Sequence, residues 1–252
     1  MKDFLRQATV VITTLVMLVV NILANALPIN GQNTGEISDQ FDVYFVPAGY
    51  VFSIWGVIYI GLIAFTIYQA LPAQRENPRL RAVGWWVALG SLANSAWIFL
   101  WHYNQFLLTL PVMLVLLGTL LVTYLRLGTG RTRASAAETW AVRVPFSIYL
   151  GWITVATIAN ATDVLDFVNW DGFGLAPETW MSIMLVAVLV IATAMSFTRR
   201  DVAYALVLLW SLAGIGIKHA AVPAVDAPTW VTFGLVALGL VAALLWRRRT
   251  TA

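Results

Sequence analysis

Hydrolysis and acid–base catalysis need paired carboxylates, or a nucleophile beside a base, within reach of each other. The 252-residue chain offers neither pattern, because no long apolar stretch carries an acid in its interior. The two histidines, His102 and His219, stand near the ends of such stretches. No His-x-x-x-His or Glu-x-x-His spacing occurs, so no catalytic metal site is expected. Asp163, Asp166 and Asp171 lack the alternating ligands and turn glycine of a calcium loop and read as a solvated acidic outer loop. Zero cysteines exclude disulfides, thiolate metal sites and a cysteine nucleophile. Lys218 lies in a late apolar run, where a lysine invites comparison with a Schiff base. A buried protonated Schiff base needs a counter-ion, and no apolar run supplies one. Lys218 is instead about 27 Å along a helix from Arg200, which puts it at the outer interface to snorkel or pair locally.

The informative residues are uncharged. Phe52, Trp55 and Tyr59 follow offsets of three and seven, as do Asn94, Trp97 and Trp101, and each trio therefore occupies one helix face. Tyr149, Trp152, Ala156 and Asn160 share a third face at offsets of three, seven and eleven. In lipid, hiding an aromatic face inside a bundle brings no hydrophobic gain, so rings with polar handles either pack tightly or meet a ligand. On the first alternative, Asn94 and Asn160 join helices by hydrogen bonds worth roughly 0.6 to 2 kcal/mol each. On the second, three faces enclose a pocket with aromatic walls and a few oriented polar groups.

The elements that carry these faces are set by hydropathy. Sixty per cent of residues are hydrophobic and 11% charged, with a mean hydropathy of +0.81, far from the roughly one-quarter charged composition of soluble domains. Apolar runs of membrane length occupy Ala8 to Leu27, Tyr50 to Leu71, Ala82 to Trp101, Phe106 to Leu125, Val144 to Val164, Thr179 to Phe197, Val202 to Val222 and Trp230 to Trp246. The expected fold is all-α: a polytopic membrane bundle of eight transmembrane helices. With an inner N-terminus, every Lys and Arg except Lys218 falls on the inner side, including Arg247, Arg248 and Arg249, while eight of the 12 acids face outward. That is the positive-inside pattern, and it places both termini in the cytoplasm. The net charge of +3 therefore reflects topology, and no nucleic-acid partner is expected.

Lys2, Arg6 and Ala24-Asn25-Ala26 imitate a signal peptide with its cleavage site. The apolar run exceeds the roughly 7 to 15 residues of a signal core, which predicts a retained first helix. Pro28 to Gly49 and Leu165 to Glu178 are the longer outer loops, the second carrying Phe167, Trp170 and Phe173 for the interface. Pro47-Ala48-Gly49 marks the start of the second helix, and Pro111 and Pro145 sit near first turns, where proline is tolerated.

Three segments together resemble the tryptophan-rich sensory protein family (TspO/MBR, the translocator protein in mitochondria). Pro47 through Tyr59, PAGYVFSIWGVIY, is similar to the family's proline and Phe, Trp, Tyr series leading into its second helix, with Phe and Trp one position closer. Asn94-Ser95-Ala96-Trp97 is similar to its Asn-x-x-Trp third helix. Tyr149 through Asn160, YLGWITVATIAN, is similar to its fifth helix. The resemblance covers about residues 8 to 165 and implies two parts. Residues 1–165 would form a TspO-like five-helix bundle, and 166–252 a three-helix extension of the same membrane domain. It also implies a pocket for a porphyrin (haem-type tetrapyrrole) or sterol-like ligand beneath the loop joining the first two helices, with no cofactor required, and a homodimer. Pro47, Tyr50, Phe52, Trp55, Tyr59, Asn94, Trp97, Tyr149, Trp152, Ala156 and Asn160 are the expected ligand-binding residues.

The resulting expectation is a non-catalytic receptor or carrier for an apolar or aromatic small molecule. Its membrane would be the plasma membrane, or the inner membrane in a bacterium. The alternatives are a secondary transporter, for which no buried acid and no internal repeat is visible, and a structural partner of another membrane protein.

Overall fold

The computed structural model describes residues 1–250, with side chains through Trp246; the side chains of Arg247, Arg248 and Arg249 lie outside the described residues. Eight long helices carry the chain: α1 Lys2–Ala26, α2 Ile54–Ala70, α3 Pro78–His102, α4 Phe106–Leu127, α5 Val144–Phe167, α6 Pro177–Arg199, α7 Val202–Lys218 and α8 Pro223–Thr250. Seven spans are long and apolar enough to cross a membrane, and α7 is a shorter apolar helix. At 17 residues it lies at the lower limit for spanning. The molecule is an integral multi-pass membrane protein.

The first five helices close a ring in the order α1, α2, α5, α4, α3, each packed on the next. The remaining three pack on one another and dock on the ring where α7 lies along α5. Two glycines permit the close approaches. A Cβ on Gly61 of α2 would meet Pro145 of α5 at 2.9 Å. A Cβ on Gly214 of α7 would run into Val51 and press on Pro47.

The sequence pattern and the helices differ in three places. The fifth span begins before Val144, because a helical stretch from Ala136 continues through a π-turn, Thr139–Arg143, into α5. Pro145 has no N–H to donate back to Ala141, and the widened turn absorbs that loss. The first outer loop is not wholly irregular either. It contains a one-turn helix, Thr34–Ser38, held by a capping box in which the Asn33 side chain accepts from the Glu36 N–H and the Glu36 carboxylate accepts from the Asn33 N–H. Asp163, placed by hydropathy in the second outer loop, lies inside α5, which runs on to Phe167. It is 3% exposed, so the expectation that no helix carries a buried acid is corrected. Asp201 and Glu138 are buried as well, at the inner ends of the bundle.

Candidate ligand cavity

All five ring helices contribute to a cavity of about 470 Å³ in the outer half of the ring. Asn21, Ile22, Asn25 and Ala26 come from α1, and Trp55 and Tyr59 from α2, with Phe52 on the 3-10 turn that precedes it. Asn94, Trp97 and Ile98 belong to α3, Met113 and Leu116 to α4, and Trp152, Ile153 and Ala156 to α5. The α4 contribution was not read from the sequence, because Met113 and Leu116 are ordinary apolar residues in an apolar run.

The aromatic residues form two walls. On one, Trp55 stacks on Tyr59 at 5.5 Å and meets Tyr149 and Trp152 edge-on at 5.9 and 6.2 Å, while Phe52 meets Trp152 at 5.6 Å. On the other, Trp97 stacks on Trp101 at 5.1 Å, and Phe106 and Phe41 pack behind. Such pairs add about 0.5 to 1.5 kcal/mol each beyond area burial, which makes the walls rigid.

The amides hold the walls in place. Asn21 donates to the Asn94 Oδ1 at 2.6 Å, and Asn94 donates to the Tyr149 hydroxyl at 2.8 Å, so one side chain links α1, α3 and α5. Asn160 accepts from Trp97 Nε1 at 3.1 Å and donates to Thr109 at 2.8 Å, linking α5, α3 and α4. Both expected amides thus bond across helices; Asn94 also lines the cavity, whereas Asn160 stands behind Trp97. Asn21 went unnoticed in the sequence, although an asparagine inside an apolar run is the same costly signal that drew attention to the others.

The outer end is covered by the first loop. The one-turn helix supplies Thr34 and Gly35 to the cavity, and His102, fully buried at the end of α3, anchors it. His102 Nδ1 donates to the Ile29 carbonyl at 3.1 Å, and its Nε2 lies 3.1 Å from the Thr34 hydroxyl. Trp101 Nε1 donates to the Thr34 carbonyl at 3.2 Å. The exposed lining residues, Ile22, Asn25 and Ala26, all belong to α1 and face the half-buried rings of α2. The opening therefore lies between the outer halves of these two helices, toward lipid.

Of the residues expected to bind ligand, Phe52, Trp55, Tyr59, Asn94, Trp97, Trp152 and Ala156 line this one cavity. Tyr149 lies beneath its floor, bonded to Asn94. Pro47 and Tyr50 lie elsewhere: Pro47 rests against Gly214 and Tyr50 meets Trp210 edge-on at 5.3 Å, both on α7. Helix α7 thus packs on the lead-in to the second helix and holds these two residues away from the cavity.

No Asp, Glu, Lys, Arg or His lines the cavity, which leaves it without a charged anchor. Trp152, on the lining, keeps its Nε1 buried with no hydrogen-bond partner, in a side chain only 3% exposed. An unpaired buried donor is costly unless something accepts from it. The arrangement can hold a flat or apolar molecule between the rings.

Outside the cavity, the outer loops are tied to the extension. Tyr44 donates to Glu178 at 3.1 Å, a bond that raises the affinity of its hydroxyl for the proton, and Lys218 pairs with Asp39 at 3.1 Å. Among the described residues, no group of three His, Cys, Asp or Glu side chains could hold a metal ion.

A family model described as TSPO-like protein matches residues 7–245, a span that takes in all eight helices and so includes the C-terminal three. No curated protein and no solved structure matches the chain.

Proposed function

Because the chain belongs to the TSPO-like protein family, we propose that it is a non-catalytic membrane receptor or carrier which takes an apolar or aromatic small molecule, of the porphyrin or sterol-like class, into the cavity between α1, α2, α3, α4 and α5. The observation that carries this reading is the uncharged, aromatic-walled space of about 470 Å³ lined by Trp55, Trp97 and Trp152, a volume within the usual range for small-molecule sites. The opening toward lipid between α1 and α2 suits a ligand that arrives by partitioning into the membrane. The expected partners are the bilayer, the ligand and a second copy of the chain.

Titrating a porphyrin into the purified protein tests the reading by its tryptophan fluorescence. Saturable quenching is expected, with weaker apparent affinity in Trp55→Ala and Trp152→Ala. Linear, non-saturating quenching, or curves that those substitutions leave unchanged, would sink it.

Asp163 supports a second reading, a secondary transporter. Its Oδ1 is buried without a partner near the outer end of α5, and intramembrane acids commonly serve proton relays. Gradient-driven uptake into proteoliposomes that Asp163→Asn abolishes would favour transport, and binding without flux favours the receptor.

A further inference from the structure

A groove of about 680 Å³ runs along the outside of α2, α5 and α7, separate from the ring cavity. Its walls are almost wholly apolar, and Val57, Trp140, Leu206 and Trp210 along it are exposed. At its inner end it shares Val144, Val202 and Ala203 with a polar hollow of about 290 Å³ beneath the turn from α6 to α7. An apolar groove thus adjoins a polar hollow at the cytoplasmic edge of the bundle.

The charges in the hollow are unevenly committed. Arg143 pairs with Glu138 at 3.3 Å. The Asp201 carboxylate is satisfied by the Tyr124 hydroxyl at 2.8 Å, the Ser147 hydroxyl at 2.6 Å and the Tyr204 N–H at 3.1 Å. Arg199 lies over the Tyr124 ring, 5.8 Å from its centroid, and reaches the Thr129 carbonyl at 3.5 Å. Among the described residues, neither Arg199 nor Arg200 has a carboxylate partner.

Two further groups of donors border the same space. The Thr129 hydroxyl is buried with no partner, in a residue 8% exposed, and it lines the hollow. Val202 and Ala203 open α7, and first-turn N–H groups have no intrahelical partners. Arg200 itself adopts a left-handed conformation, φ 52° and ψ 40°, which glycine would take without strain. Asp201 already caps the N-terminus of α7, so two arginines and a hydroxyl are left without an anion, at the end of a groove that would accept hydrocarbon.

We propose that the groove and the hollow together bind an anionic phospholipid of the inner leaflet, its phosphate received by Arg199, Arg200 and Thr129 and one acyl chain laid along α7. The apolar groove distinguishes this ligand from a soluble phosphate, and the exposed Trp140 at the groove mouth is the residue type that settles at the headgroup level.

Spin-labelled phosphatidylglycerol and phosphatidylcholine, each in vesicles of phosphatidylcholine containing the full-length protein, test the proposal by the immobilised fraction of the label. Phosphatidylglycerol is expected to be preferred, with Arg200→Gln and Arg199→Gln each lowering that preference about fivefold, the effect of one arginine near a lipid surface. Arg131→Gln, which removes an inner-face charge outside the hollow, is expected to leave it intact. Ala203→Leu is expected to lower immobilisation of both lipids while circular dichroism shows full helix content. Equal immobilisation of the two lipids, or a preference that Arg131→Gln lowers as much as Arg200→Gln does, would overturn the proposal in favour of diffuse surface charge. Displacement of the label by inorganic phosphate, but not by chloride at matched ionic strength, would overturn it in favour of a free-anion site.

Discussion

At the scale of single residues, buried polar atoms divide the molecule into parts that hold it together and parts that await a partner. Asn94 belongs to the first kind, since both ends of its amide are used and it serves three helices. Asn94→Ala removes both bonds and leaves Tyr149 and Asn21 short of partners. It is expected to lower stability by about 1 to 3 kcal/mol, measured as a lower midpoint of thermal unfolding in detergent. His219 makes a different prediction. Burial, helped by the adjacent Lys218 charge, holds its imidazole below the ordinary histidine range, so the folded protein resists a proton that the unfolded chain accepts. The unfolded state then binds more protons between the two values, and stability rises with pH there. The His219 contribution is therefore intact above about pH 6.5 and is lost as pH falls below it. Melting curves at pH 7.5 and 5.5 should show a drop in the native protein that His219→Gln makes smaller. An equal drop in both would assign the effect to other groups.

At the scale of helices, the contact between α7 and the lead-in to α2 joins the extension to the ligand cavity. Ala48 N–H donates to the Gly214 carbonyl at 3.2 Å, and Trp210 Nε1 donates to the Val51 carbonyl at 3.1 Å. Val51, fully buried, is next to Phe52 on the cavity wall. Gly214→Leu forces α7 off this segment at about 1 to 3 kcal/mol, the usual range for overpacking. It is expected both to lower the melting temperature and to weaken porphyrin quenching from outside the cavity. Gly56→Leu, where an added Cβ meets nothing, should do neither.

The same contact shows what was legible beforehand. Phe52, Trp55, Tyr59, Trp97 and Trp152 were found by helical spacing, because periodicity fixes which residues share a face. Pro47 and Tyr50 lie against α7 instead, and nothing in the sequence signals it, because that partner is some 160 residues away and spacing carries no such information. Asp163 reads with Asp166 and Asp171 as part of an acidic outer loop because it stands at the end of its apolar run, whereas α5 continues on its own hydrogen bonds to Phe167 and buries it.

At the scale of the whole molecule, the helix count and the charge pattern fix the orientation together. Eight helices return the chain to the side where it began. The inner connections carry Arg131, Arg133, Arg199 and Arg200, and the outer ones carry Asp39, Asp166 and Asp171. The two lines of evidence are independent, since one comes from geometry and the other from charge, and a missing span would put them in conflict. The short α7 is the place where such a failure would arise. Its 17 residues measure about 25 Å, less than the roughly 30 Å hydrocarbon core. Lys218 at its outer end, paired with Asp39, can bridge the difference by reaching the interface. Because the chain has no cysteine, a single introduced one reports its side without background. In sealed, right-side-out vesicles a membrane-impermeant maleimide is expected to label Asp171→Cys and Ala221→Cys and to spare Arg131→Cys and Arg200→Cys until the membrane is opened. Labelling of Arg200→Cys with protection of Ala221→Cys would show that the last three helices are inverted, while protection of both would mean that α7 does not cross.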